Sequence, residues 1–253
     1  MNKTLMLSLL ILVGSNNFLS AQKTFKLHGK VADFNSNPID SVEVLLKDKS
    51  FKNLYKTITD KDGNYSMEVS EGTYYCLYAI KPNEYGKTKL EYWAWNVPVY
   101  KDIEINPQYD RMEIYGINAF EPQVTPHETY ILYFRPMSLS KSLTLADKRD
   151  KKKLEKKAIE LHDTINISPT NISVEELEIK MNEVPVKILT IQKITEFARG
   201  AYLYSYIVQI MKSKKDEINS NDYDKITIIL HSKETGEYGK GELYIEKKEY
   251  NGL

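Results

Sequence analysis

The 253-residue chain has a single cysteine, Cys76. One thiol cannot form an intramolecular disulfide, so packing alone has to hold the fold. Cys76 lies in the strand-like run Tyr74-Tyr75-Cys76-Leu77-Tyr78 and is expected to be a small core residue. Glycine and proline are scarce, at 11 and 9, which excludes a collagenous or low-complexity chain. Net charge is lacking too, because 35 Lys and Arg balance 35 Asp and Glu. Without a basic excess no field gathers nucleic acid or an anionic membrane, and neither is expected as a partner. Beyond the first 22 residues, no run is long and apolar enough to span a bilayer, which takes roughly 20 residues.

Catalytic patterns are missing as well. The four histidines, at 28, 127, 162 and 231, never fall at the i, i+4 spacing of a zinc pair. His127-Glu128-Thr129-Tyr130-Ile131 begins like H-E-x-x-H but ends in isoleucine. No G-x-S-x-G surrounds a serine, and Gly236-x-x-Gly239-x-Gly241 fits neither the dinucleotide fingerprint nor the P-loop. No catalytic residue, metal or cofactor is therefore expected.

What is present begins with an address. Lys3, the apolar run Leu5 to Val13 and Leu19-Ser20-Ala21-Gln22 read as a secretory signal peptide over residues 1–21. Cleavage before Gln22 would send the mature chain to the periplasm, the cell surface or the medium. Gln22 stands where a lipoprotein needs cysteine, so no lipid anchor is expected. Hydrophobic content of 42% and charged content of 28% describe a globular chain. The 19 tyrosines favour half-buried pleated surfaces and tip the balance towards strands.

Residues 25 to 120 read as short strands between turns. Phe25 to Val31, Val42 to Leu46, Thr57 to Thr59, Tyr65 to Val69 and Thr73 to Ile80 are the strand candidates. Asn35-Ser36-Asn37-Pro38 is one turn, with Asn37 as its left-handed residue. Asp60-Lys61-Asp62-Gly63-Asn64 is another, with Gly63 at positive φ. Only two carboxylates precede Gly63, too few for an EF-hand loop, so turn chemistry is the preferred reading over calcium.

Gly29-x-Val31-x-Asp33, Pro38-Ile39-x-x-Val42-x-Val44, Thr57-x-Thr59-Asp60-x-Asp62-Gly63-x-Tyr65 and Gly72-x-Tyr74 follow one another in this order. In order and spacing this half resembles the carboxypeptidase regulatory-like domain, over roughly residues 24 to 105. The resemblance implies a prealbumin-like (transthyretin-like) β-sandwich of about seven strands. It also implies an accessory module rather than a peptidase. Asn37 departs from the glycine that family usually carries before the proline.

Two prolines in Glu121 to Pro126 suit neither a helix nor a central strand, so residues 121–126 read as a linker. It separates a domain over 22–120 from a second one over 127–253. In the latter, Tyr130 to Phe134, Leu177 to Met181, Val184 to Ile188, Ala201 to Met211, Lys225 to Leu230 and Gly241 to Ile245 are strand candidates. Residues 189 to 211 also fit helical spacing in part, and the alternating tyrosines at 202, 204 and 206 favour a strand from there on. A charged stretch from Leu145 to Asp163 reads as a short amphipathic helix or insertion. The expected fold class is all-β: two tandem sandwiches, prealbumin-like and then immunoglobulin-like.

The densest unusual patch is Glu91 to Tyr100, which holds both tryptophans. On a strand Trp93 and Trp95 share a face and Tyr92 takes the other. Tyr92, Trp93 and Trp95 are the binding candidates, able to stack on sugar rings or a peptide if exposed. Filling the sandwich core is the preferred alternative. The reading is an exported non-catalytic binding or accessory protein that engages an envelope protein or glycan. A hydrolase of surface glycan or peptide, with an unrecognised carboxylate site, and a cell-surface assembly subunit pairing through sheet edges are its rivals.

Overall fold

The computed structural model describes residues 23–123, 128–147, 167–198, 201–213 and 222–247. The leader, part of the 121–126 segment and most of the charged stretch 145–163 lie outside the described residues. The first half forms β1 (Thr24–Lys30), β2 (Glu43–Lys47), β3 (Asn53–Ile58), β4 (Asn64–Ser70), β5 (Gly72–Ile80), β6 (Tyr92–Val99), β7 (Ile103–Glu104) and β8 (Met112–Phe120). The second forms β9 (Thr129–Ser138), helix α1 (Leu139–Asp147), β10 (Leu177–Met181), β11 (Val184–Pro185), β12 (Ile188–Ala198), β13 (Ala201–Met211), β14 (Tyr223–His231) and β15 (Tyr238–Glu246). The fold is all-β, with one helix and one 3-10 turn among the described residues.

Three sheets stack in layers. A central sheet runs β11-β10-β14-β15-β6-β5-β2-β3, a short sheet β4-β1-β7, and a third β12-β13-β9-β8. One face of the central sheet packs on the short sheet through Leu27, Val44, Met67, Leu77, Ala94 and Ile105. Its other face packs on the third sheet through Trp93, Ile114, Phe134, Val208, Ile228 and Leu243. The sequence follows this layering strand by strand. In β4 only Tyr65, Met67 and Val69 are buried, alternating with exposed Asn64, Ser66 and Glu68, as in a strand with one wet face. In β6 every residue but Asn96 is buried, because a sheet covers it on both sides.

Strands β1 to β7 close a seven-stranded sandwich, and the second half closes another against the third sheet. The two share the central sheet: β15 pairs in parallel with β6, Gly241 beside Trp93 and Leu243 beside Trp95. Strands on both sides of residues 121–126 are thus hydrogen-bonded neighbours. Residues 188 to 198 extend as β12, so the helical option there is replaced by a long hairpin with β13. Gly239 and Gly241 explain the glycine-rich run near the C-terminus. A Cβ on Gly239 would lie 2.7 Å from the Met112 carbonyl oxygen, and one on Gly241 2.8 Å from that of Ile114. Their bareness lets β8 cross close over β15.

Two turns test the local reading. In the first, Ser36 rather than Asn37 takes the left-handed conformation, at φ 67°. The Asp33 carboxylate accepts the Asn35 and Asn37 backbone N–H groups and the Asn37 amide, which pins Asn37 and passes the reversal to Ser36. In the second, Gly63 has φ 79°, and Asp60 Oδ1 accepts the N–H groups of Asp62 and Asn64. A Cβ on Gly63 would also lie 2.5 Å from the Val31 carbonyl oxygen. Gly63→Ala is therefore expected to cost more than about 1 kcal/mol, and Asp60→Ala less. Denaturant titration of both variants checks the order, and a larger loss for Asp60→Ala would refute it.

Candidate functional site

Trp93 and Trp95 share a face and Tyr92 takes the opposite one, in the expected alternation. Their exposure, however, is 6%, 5% and 0%. All three sit between layers, so the structure does not present them as a stacking surface for a sugar or peptide. A continuous apolar run marks a strand buried on both faces, and that is the role of β6. The indoles stack at 5.3 Å and 15°, with Tyr115 edge-on to both. Phe51 is also edge-on to both, 6.1 and 6.5 Å from the two rings. Cys76 is buried beside Trp95, and burial pushes its thiol up to about 12, which leaves it unreactive.

The opposite face of β15 carries the most unusual electrostatics. Glu242 is fully buried, with Lys240 at 3.1 Å and Lys225 at 3.3 Å. Burial opposes its ionisation, but the two ammonium groups outweigh that and hold its carboxyl below the ordinary range. Lys240 also donates to the Asn106 carbonyl oxygen and Lys225 to Glu183. The hydroxyls of Tyr92 and Tyr244 stay protonated, first through burial and then through the Glu242 charge. A cleft of about 280 Å³ opens beside this cluster, between β7, the Asn182-Glu183 turn and β14. Asn182 and Glu183 are both left-handed, which folds the turn back over Lys225.

A second buried acid site joins Glu91, just before β6, to Glu113 on β8. Burial pushes Glu113 well above the ordinary carboxyl range, and the Glu91 charge adds to it. Glu113 keeps its proton and donates to Glu91, which burial also raises. A carboxyl raised in the folded state contributes stability fully below the ordinary glutamate value of about 4.3. That contribution is lost as pH rises through the folded value. Melting temperature is therefore expected to fall as pH rises above the ordinary glutamate value, and Glu113→Gln, which still donates, should flatten the slope. An unchanged slope in that variant would show that the pair does not carry it.

The carboxylates at the centre of the two clusters are shielded from solvent, since Glu91, Glu113 and Glu242 are each at most 5% exposed. What the surface does offer is an edge. Among the described residues β3 is the last strand of the central sheet and pairs on one side only, with β2. Alternation turns Leu54, Lys56 and Ile58 to solvent on one face, with Leu54 44% and Ile58 54% exposed. Phe51 continues this apolar row at 39% exposure. Its left-handed φ of 60° is held by an Asp48 turn, in which Oδ1 accepts the N–H groups of Ser50 and Lys52. The sequence reading began the strand at Thr57, ran it to Thr59, and so missed Phe51 and Leu54. The alternation Leu54-x-Lys56-x-Ile58 ahead of the Asp60 turn was the available signal.

No family model matches the chain, and no curated protein matches it. Solved structures that resemble it include a DUF3823 family protein from Parabacteroides merdae, at 11% identity and TM-score 0.27 over 89% of this chain and all of that one. BcpA, the major pilin subunit of Bacillus cereus, gives 10% and 0.27 over 88% of this chain and 69% of its own. The Corynebacterium diphtheriae major pilin SpaA gives 7% and 0.24 over 81% and 62%. Likeness at this level says nothing of function. The layered β architecture rests on the strand pairing itself.

Proposed function

We propose that the chain is an exported, non-catalytic binding or accessory protein that engages a partner outside the inner membrane through the open β3 edge. The observation that carries this reading is a terminal strand, paired on one side only among the described residues and bearing two exposed apolar side chains, Leu54 and Ile58. Such an edge offers unpaired backbone groups as a template for another strand. The leader-like residues 1–21 supply the address, and the resemblance of residues 24 to 105 to carboxypeptidase regulatory-like modules supports an accessory role. With Tyr92, Trp93 and Trp95 buried between layers, this reading relies on the sheet edge rather than on the aromatic patch.

A photo-crosslinking residue at position 58, in the native envelope, tests the reading. A discrete adduct is expected there, absent with the crosslinker at exposed Val174 and lost on Leu54→Lys. No adduct at 58, or the same adduct at both positions, overturns it. An adduct of twice the chain mass would support the assembly-subunit alternative instead.

A further inference from the structure

The cleft beside Lys225 carries an inference that goes beyond the β3 edge. We infer that the space between β7, the Asn182-Glu183 turn and β14 is a binding site for one neutral pyranose ring, such as the terminal sugar of a glycan. Four strands of the central sheet separate β14 from β3, so this site is independent of the edge. Its volume of about 280 Å³ lies near the low end for small-molecule pockets, roughly 300–1,000 Å³. A single ring fits there.

Three features of the wall point to a ligand. Tyr244 forms part of it, is 3% exposed, and its buried hydroxyl has no hydrogen-bond partner among the described residues. Leaving such a group unmet is costly, and a ligand oxygen would satisfy it. Glu183 stands at the rim with a left-handed φ of 68°, a conformation a glutamate adopts only under constraint. The half-buried Tyr223 ring, edge-on to Tyr244 at 5.5 Å, supplies an apolar face.

The charges of the wall decide the class of ligand. Lys225 is paired with Glu183 and Glu242. Asp102 accepts the Lys26 backbone N–H, and Glu104 accepts the Asn106 side-chain amide. With Lys101 and Lys225 set against Asp102, Glu104 and Glu183, no strong field of either sign selects an ion. A charged ligand would have to break these contacts or leave its own charge poorly paired. A neutral ring does neither. Its hydroxyls donate to the carboxylates, which keep acceptor sites, and accept from Lys225 and Tyr244. Its C–H face lies on Tyr223.

The test titrates methyl glucoside, methyl galactoside and methyl mannoside into the isotopically labelled mature protein. Glucuronic acid and glucosamine serve as the same ring carrying a negative or a positive charge. At least one neutral glycoside is expected to bind with a Kd of about 1 mM, shifting the amides of Ile103, Glu183, Tyr223 and Lys225. Both charged analogues should bind at least about fivefold more weakly. Tyr223→Ala should weaken binding about tenfold. Tyr244→Phe should weaken it about fivefold and leave the denaturant midpoint unchanged or higher, because only an unmet hydroxyl is removed. Failure of all three glycosides to bind below about 50 mM, a charged analogue binding as tightly, or shifts centred elsewhere would each overturn the inference. So would full affinity in Tyr244→Phe. A lower midpoint in that variant would overturn it as well, since the hydroxyl would then be met by an ordered water and not kept for a ligand.

Discussion

Glu242→Gln is expected to lower the unfolding free energy by about 3–5 kcal/mol, as when one partner of a buried ion pair is removed. Glutamine matches the shape, so the loss is electrostatic. Lys240 would keep only the Asn106 carbonyl oxygen and Lys225 only Glu183, each now facing a neutral amide in the interior. The linkage sign gives an independent check. Because the Glu242 carboxyl is held below its ordinary value in the folded state, its contribution is present above the ordinary value. It disappears as pH falls through the folded one. The wild-type and Glu242→Gln stability curves should therefore converge under acid and separate towards neutrality. Adding Lys240→Met should restore part of the loss, since it removes one of the stranded charges. Denaturant titrations at several pH values measure all of this. A neutral-pH loss below about 1 kcal/mol would mean that water reaches the cluster and screens it.

Gly29→Ala should cost about 3 kcal/mol or more, at the upper end of overpacking. A Cβ there would stand 1.8 Å from the Ile105 carbonyl oxygen and 2.7 Å from its carbon. Both are backbone atoms that no side-chain rotation can move. To make room, residues 103–106 must leave β1. That breaks Ile105 N–H to His28 O, Tyr65 O–H to Ile105 O and Lys30 N–H to Asn106 Oδ1 together. It would also loosen the short sheet at its β7 edge, beside the Lys240–Asn106 contact. Gly116→Ala is the matching control: φ is 64° but nothing lies within 4 Å, so only the conformational cost of about 1 kcal/mol applies. Equal losses in the two variants would show that the close approach at Gly29 is relieved cheaply.

Local chemistry was legible in the residues. Alternation in Tyr65 to Val69 and in Leu177 to Met181 placed strands that β4 and β10 occupy, because a strand with one buried face writes its period into the side chains. Gly63 was legible because a tight reversal after Asp60 requires positive φ. The Asn37 expectation missed by one residue, since the choice between Ser36 and Asn37 depends on how the Asp33 carboxylate is shared among three donors.

By itself the sequence determined the β class, the positions of β1, β2, β4, β5, β10, β13 and β14 and parts of β9 and β15, the core role of Cys76 and the alternation that separates Trp93 and Trp95 from Tyr92. These follow from side-chain period and turn geometry, which act over a few residues. Only the tertiary structure decided that β15 pairs with β6, so that one sheet serves both halves, because parallel pairing at that separation leaves no local mark. Only it decided that Glu242 meets Lys225 and that Glu113 meets Glu91, through strands brought together by sheet stacking. The exposed β3 edge belongs to the same class. Ile58 reads as an ordinary strand residue in the chain, and Leu54 is not placed in a strand at all. Both are left at the surface because neither packs into the core on either side of the central sheet, of which β3 is the last strand among the described residues.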